Sequence, residues 1–300
     1  MNRKIKSVLS VIVAVFFPLH SLFIPTKLES ANLTNTKDTL QSSRLSFNGR
    51  VKSPSVALSS HVWIYTSASA PAYSITTNPL TAGDSLTIGT GAYTVVDVID
   101  SDEFTVSPVL ASGDADDTDP IYLKAKPQHV VTFNTTAAIA NGYFRILIPA
   151  DATTPNDGNP DDQGFDFNTT VDITGTNATN YTFSTTVSAA TVSGGTGCTS
   201  PANYHCFEFH YSGAGGVGTA ITLSIGNTTG TNTPIAPNTG TAHTEGTADS
   251  YTYQVRHYDS SNLLIDQTNG KMALIESVKV TATVDPTITF SIAGRAAATT

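Results

Sequence analysis

Two acidic loops carry the side chains most able to do chemistry. Asp151-Ala-Thr-Thr-Pro-Asn-Asp-Gly-Asn-Pro-Asp-Asp162 and Asp114-Ala-Asp-Asp-Thr-Asp119 crowd carboxylates and amides into short polar stretches. Oxygen-only ligand sets suit hard cations such as Ca²⁺, which gathers about six to eight of them. Asp151, Asn156, Asp157, Asn159, Asp161 and Asp162 are the calcium candidates of the first loop, and the second is the weaker candidate. Neither loop has the EF-hand spacing or a Glu at its twelfth place. Asp, Asn and Gly are also ordinary turn residues, so the competing reading is two solvated turns.

Cys198 and Cys206 are the only cysteines and flank Thr199-Ser-Pro-Ala-Asn-Tyr-His205. In an exported chain, a lone pair around a Ser-Pro-Ala-Asn turn is most simply a disulfide. The loop-entropy model gives such a small ring about 2–3 kcal/mol. A zinc site needs more soft ligands than His205 supplies. His205 and Cys206 are adjacent, so on a strand they point to opposite faces and are badly placed for proton transfer.

The histidines at 61, 129, 205, 210, 243 and 257 form no metalloprotease-type cluster and read as strand-surface residues. No G-x-S-x-G elbow is present, and the Gly-rich segments run into strands rather than helices. Glu208 sits on a strand, but a glycosidase needs a second carboxylate, and none can be paired to it from sequence. Tyr251, Tyr253 and Tyr258 are sugar-stacking candidates; alternatively, they simply cover a sheet face. No catalytic residue emerges, and the chain reads as a non-enzyme with no cofactor beyond a calcium candidate.

The elements that must position these groups are strands. Only 13 % of the 300 residues are charged and 39 % are apolar, with 11 Tyr and 13 Phe. Low charge with abundant Thr, Val, Ile, Tyr and Phe favours pleated sheet. In His129–Asn134, Val131 and Phe133 share one face; in Tyr143–Pro149, Phe144, Ile146 and Ile148 do, and Pro149 ends that run. Further strands are expected at Leu40–Val51, His61–Tyr65, Phe165–Phe167, Val171–Ile173, Tyr181–Phe183 and Thr186–Ser188. Others follow at Cys206–Tyr211, Ala220–Ile225, Tyr251–Tyr258, Leu263–Ile265, Met272–Val284 and Thr287–Ile292. Strands every 8–15 residues without a helical period predict an all-β fold built on a β-sandwich, Ig-like or jelly-roll-like.

Between Asn78 and Lys124 the rhythm changes to four short strands separated by Gly and Asp turns. Gly83-Asp-Ser-Leu-Thr-Ile-Gly89, Tyr93-Thr-Val95 and Phe104-Thr-Val106 predict a small inserted β-meander or barrel. This pattern resembles small β-modules of bacterial surface proteins and phage tail proteins.

Residues 1–30 read as a signal peptide or an uncleaved N-terminal anchor, a signal helix with Arg3, Lys4 and Lys6 before the apolar run Val8–Phe17. The run is too short for an ordinary spanning helix. Four of the 15 Lys and Arg and one of the 24 Asp and Glu lie there, leaving 11 basic residues against 23 acidic. With a formal net charge of −9 for the whole chain, nucleic-acid binding is disfavoured. The organisation expected is signal 1–30, lead-in and first strand 31–52, inserted module 53–126, sandwich 127–294, and a linker beginning at 295–300. The ending Ala-Gly-Arg-Ala-Ala-Ala-Thr-Thr carries no sorting signal or apolar anchor, as expected at the front of a longer protein.

Leu40-Gln-Ser-Ser-Arg-Leu45, His129-Val-Val-Thr-Phe-Asn-Thr-Thr136, Gly142-Tyr-Phe-Arg-Ile-Leu-Ile-Pro149 and Val280-Thr-Ala-Thr-Val-Asp-Pro-Thr-Ile-Thr-Phe-Ser-Ile-Ala-Gly294 together resemble exported bacterial β-sandwich proteins of the cell-surface or surface-layer-like kind. The resemblance implies a secreted, extracellular surface location and no chemistry. The expected function is a structural or adhesive surface protein, a surface-layer, filament or adhesin component. It would contact other surface proteins, copies of itself or glycans, and the membrane only through an uncleaved N-terminus. Assembly by strand addition, using Leu40–Val51 as a lone apolar strand, is one expected mode. A carbohydrate-binding module, calcium-dependent or not, is the alternative, and a secreted hydrolase is the third class.

Overall fold

The computed structural model describes residues 33–67, 74–136, 142–154, 156–167, 170–176, 181–182, 186–188, 203–211, 220–227, 233–240 and 242–277. The described residues are all-β and contain no helix. The strands are β1 (Leu33–Leu40), β2 (Phe47–Lys52), β3 (His61–Ile64), β4 (Ser85–Ile88), β5 (Gly91–Val98), β6 (Glu103–Ser107), β7 (Pro120–Leu123) and β8 (His129–Thr135). They continue as β9 (Gly142–Pro149), β10 (Thr170–Thr176), β11 (Tyr181–Thr182), β12 (Thr186–Ser188), β13 (Tyr204–Tyr211), β14 (Ile221–Ile225), β15 (Asp249–Asp259) and β16 (Leu264–Leu274).

Two five-stranded antiparallel sheets share one core in a sandwich-like arrangement. Their strand orders are β1-β8-β14-β10-β12 and β11-β13-β9-β15-β16. In the second sheet, β9 is central, pairing Ile146 with Phe207 of β13 and with Val255 of β15. The inward face of β9 is Phe144, Ile146 and Ile148, as the alternation predicts. Arg145 and Leu147 on its other face are also buried, so the strand is covered on both sides. The core holds Phe133, Phe144, Phe165, Phe167, Phe207 and Phe209, and burying one such ring stabilises by about 2–3 kcal/mol. Phe165 and Phe167 belong to no strand; they flank an isolated bridge between Asp166 and Ile235 and are fully buried all the same.

Strands β2-β3-β6-β5-β4-β7 close into a six-stranded barrel inserted between β1 and β8. It has its own core around Phe47, Val62, Ile88, Phe104 and Ile121. Closure removes the free edges that an open meander would expose. The four strands read from the Asn78–Lys124 rhythm are β4 to β7, and β2 and β3 complete the barrel.

Here the strand expectations are corrected. Leu40–Val51 is not a single sandwich strand: Leu45 lies in the sandwich core, whereas Phe47 and Val51 lie in the barrel core. The first sandwich strand is the polar stretch Leu33–Leu40, expected only as a lead-in. It pairs with β8 along its length, interrupted by a bulge at Asn35, which adopts φ 53°. Its polarity is accommodated by a wholly buried pair, Asp38 Oδ2 with His129 Nδ1 at 2.8 Å. The expected strands Leu263–Ile265 and Met272–Val284 likewise differ over the described residues: β16 is one strand from Leu264 to Leu274, paired with β15 with a register shift between His257 and Tyr258. Residues 1–30, Cys198, residues 278–284 of the expected strand Met272–Val284 and the expected strand at 287–292 lie outside the described residues.

The chain crosses between the two cores at neighbouring points, Leu45-Ser-Phe47 outward and Leu123-Lys-Ala125 back. Ser46 is fully buried there; its Oγ accepts from Ala125 N and its own N donates to Pro237 O. Asn48 donates to Pro160 O at 2.9 Å, and the Arg44 guanidinium, from the sandwich side, grips both oxygens of Asp84 in the barrel.

Candidate functional site

The loop between β9 and Phe167 runs along this seam. Asp151 caps its own turn, Oδ1 accepting from Thr153 N at 2.6 Å and Thr154 N at 3.0 Å. Burial pushes its carboxyl up, but these hydrogen bonds win and hold it below the usual carboxylate range. Asp157 likewise accepts from Asn159 N at 2.8 Å. Gly158, at φ +81°, takes the left-handed turn conformation open to glycine, and its N donates to Asp166 Oδ2 at 2.9 Å.

Folding brings Asp157, Asp161 and Asp166 together, with one oxygen of each within 4.8 Å of the others. That separation suits a shared cation, because two oxygens on opposite sides of Ca²⁺ at about 2.4 Å stand about 4.8 Å apart. Asp161 is the anomalous member. Burial raises its carboxyl to about 7, Thr154 opposes with a hydrogen bond, and Asp157, Asp151 and Asp166 push it further up. Its Oδ2 is buried without a hydrogen-bond partner. Asp162 is also raised, by burial and then by Asp151. One cation approaches the group: Lys124 Nζ donates to Gly158 O at 2.6 Å, its own pKa lowered by burial despite Asp166 and Asp157.

Of the calcium candidates, then, Asp157 and Asp161 converge, while Asp151 is occupied with its own turn. Asn159 serves Asp157, donating Nδ2 to its Oδ2 at 3.2 Å. Asp162 contributes its backbone carbonyl to Tyr251 Oη at 3.2 Å and is not among the converging carboxylates. Asp166 was not legible as a candidate: flanked by two core phenylalanines, it looks like the outward residue of a strand. In the second acidic loop Asp114 alone turns inward, accepting from Tyr93 Oη at 2.6 Å and from Thr90 N at 3.0 Å, while Asp116 and Asp117 are exposed.

The remaining candidates have structural duties. His129, His205 and His257 are buried, not strand-surface, residues. His205 Nε2 meets Phe165 O at 2.8 Å, and His257 stacks on Phe144 with centroids 4.2 Å apart. His243 bridges Asp249 and Glu276 at 2.9 and 3.0 Å, and His61 pairs with Glu103. Glu208 is bound by Arg145 Nε at 2.7 Å, and that guanidinium lies 4.3 Å over the Tyr258 ring. Tyr253 is in the core and Tyr251 packs against it, so the three tyrosines present no common sugar-stacking row. They fail to do so because β15 is an interior strand whose Tyr251 and Tyr253 face inward, whereas a register shift sets Tyr258 apart. Cys206 is buried beside Leu147 and is not a free thiol.

Compared with protein-family models, curated proteins and solved structures, the chain matches none.

Proposed function

We infer that this is an exported, non-enzymatic structural or adhesive protein of the cell surface, in which a jelly-roll sandwich holds a small barrel outward as a contact module. The jelly-roll reading is supported by the strand path, since every step from β8 to β15 changes sheet. The observation that carries the functional reading is the seam. Arg44, Ser46 and Asn48 tie the barrel to the sandwich at a fixed orientation, as suits display of a surface rather than closure over a substrate. The basic n-region and apolar run of residues 8–17 supply the export route, and a Cys198–Cys206 disulfide would staple the loop before β13. Limited proteolysis and antibody labelling of intact source cells test this: surface-accessible protein is expected, and protein found only after lysis would overturn it. Non-reducing mass analysis should show a chain two hydrogens lighter than its reduced form.

A second reading adds calcium at Asp157, Asp161 and Asp166, favoured by the buried, unpaired Asp161 Oδ2. Calcium binding there would displace the Asp161 proton and strengthen the seam. Melting in millimolar calcium should exceed melting in excess chelator, and Asp161→Asn should abolish the difference; identical melts would sink this reading.

A further inference from the structure

The outer wall of the barrel carries a groove of about 440 Å³, whose lining residues Tyr93 and Lys124 also make the structural hydrogen bonds described above. It arises from side-chain size. Ser85 and Thr87 of β4, Thr94 of β5 and Ser107 of β6 are adjacent in register, Ser85 opposite Thr94 and Thr94 opposite Ser107. These short outward residues make a floor of hydroxyls. Next to them β7 sends out Tyr122, opposite Thr87, and the chain continues through Lys124 to the exposed Lys126, forming a tall wall. The groove lining contains two lysines and no carboxylate, in a chain whose acidic residues outnumber its basic ones. Lys124 Nζ lies 5.4 Å from the Tyr122 ring and spends one of its three donors on Gly158 O.

We propose that this groove binds an acidic saccharide, with Lys126 and Lys124 meeting the sugar carboxylates, the Ser and Thr hydroxyls meeting its hydroxyls, and the Tyr122 ring flanking a pyranose face. Dense, short hydroxyls beside one aromatic edge match a polyhydroxylated ring better than a nucleobase, which asks for stacking platforms and a long basic track. The lining itself carries no carboxylate, and although Lys124 also feels Asp166 and Asp157 beyond it, the exposed Lys126 selects for negative charge where the whole molecule repels it. The groove is lined by the barrel wall and by the segment that leaves it through Lys124 and Lys126, so the inference goes beyond surface display and holds or fails on the purified chain, wherever the protein is located.

The test is calorimetric titration of the full chain with oligogalacturonate, its methyl-esterified counterpart of equal length, a sulfated oligosaccharide and a single-stranded oligonucleotide. Oligogalacturonate is expected to bind at least tenfold tighter than the neutral ester, and more weakly as salt rises. Lys126→Glu, on an exposed side chain, and Thr94→Trp, which fills the floor, should each reduce binding tenfold or more without changing the melting temperature. Comparable binding of the sulfated sugar would widen the ligand to anionic glycans and keep the proposal. No binding of any acidic sugar, equal binding of the neutral ester, tighter binding of the oligonucleotide, or binding unchanged in both variants would overturn it.

Discussion

Two titratable side chains, His257 and Asp161, push the pH dependence of stability in opposite directions. His257 has a pKa lowered to about 4, chiefly because burial disfavours its cation, although Asp266 pulls the other way. Unfolded, it titrates near the ordinary value of 6.5. As pH falls below 6.5 the unfolded state gains a proton that the folded state refuses until about pH 4, so stability is lost across that window. The loss is on the order of 3 kcal/mol. Asp161 behaves conversely. Its folded pKa of about 7 lies above the unfolded 3.8, so its contribution is most favourable below pH 3.8 and is lost as pH rises toward 7. His257→Phe, which preserves a ring against Phe144, should flatten the decline between pH 6.5 and 4 in urea titrations. Asp161→Asn should stabilise the protein at pH 8 by about 1–2 kcal/mol, a figure discounted for partial exposure. An unchanged pH profile in either variant would remove that residue from the account.

At the scale of single elements, β1 is the informative case. Leu-Thr-Asn-Thr-Lys-Asp-Thr-Leu has apolar residues only at its ends, so period-two hydrophobicity cannot reveal it. What holds it is the ladder to β8, the donation of Leu33 N to Asp266 Oδ2 at 2.8 Å, and the Asp38–His129 pair. Removing one partner of a wholly buried pair leaves the other uncompensated. Asp38→Ala should therefore cost about 3–5 kcal/mol in denaturant titrations, and a loss under 1 kcal/mol would show that the ladder alone suffices. The same element changes the strand-addition idea. Because Leu45 is in one core and Phe47 in the other, the segment Leu40–Val51 is built into both units and is no spare strand. Gly164 marks another packed element: a Cβ there would stand 2.4 Å from Ala150 N, so Gly164→Ala should cost about 2–4 kcal/mol by the same measurement.

Among the described residues, the two large hydrophobic cores, one in the sandwich and one in the barrel, are joined by a polar seam. Arg44 binds Asp84 and donates to Pro79 O at 2.7 Å, Asn48 reaches Pro160 O, and Thr239 Oγ1 donates to Ser74 Oγ at 2.8 Å, so polar side chains couple the barrel to the sandwich. Cooperative unfolding of both units depends on that coupling. Calorimetry of the intact chain should show one transition, and the double variant Arg44→Ala, Asn48→Ala should split it into two. A single transition in the double variant would mean that the remaining bonds across the seam, at Ser46, Ala125 and Pro237, Thr239 with Ser74, and Lys124 with Gly158, suffice for the coupling.

Strand content and the interior of the sandwich were legible in the order of residues, because a pleated strand puts alternate side chains on opposite faces and Phe144, Ile146 and Ile148 needed the same one. The barrel strands β4 to β7 were legible for the same reason, helped by Gly and Asp turns. Contacts between distant segments were not. The meeting of Asp166 with Asp157 and Asp161, the Asp38–His129 pair and the hydroxyl floor beside Tyr122 each join residues that no local period relates. Alternation tells which way a side chain points but not which strand lies beside it; pairing across sheets and the closing of the barrel are long-range choices, and only the tertiary structure makes them.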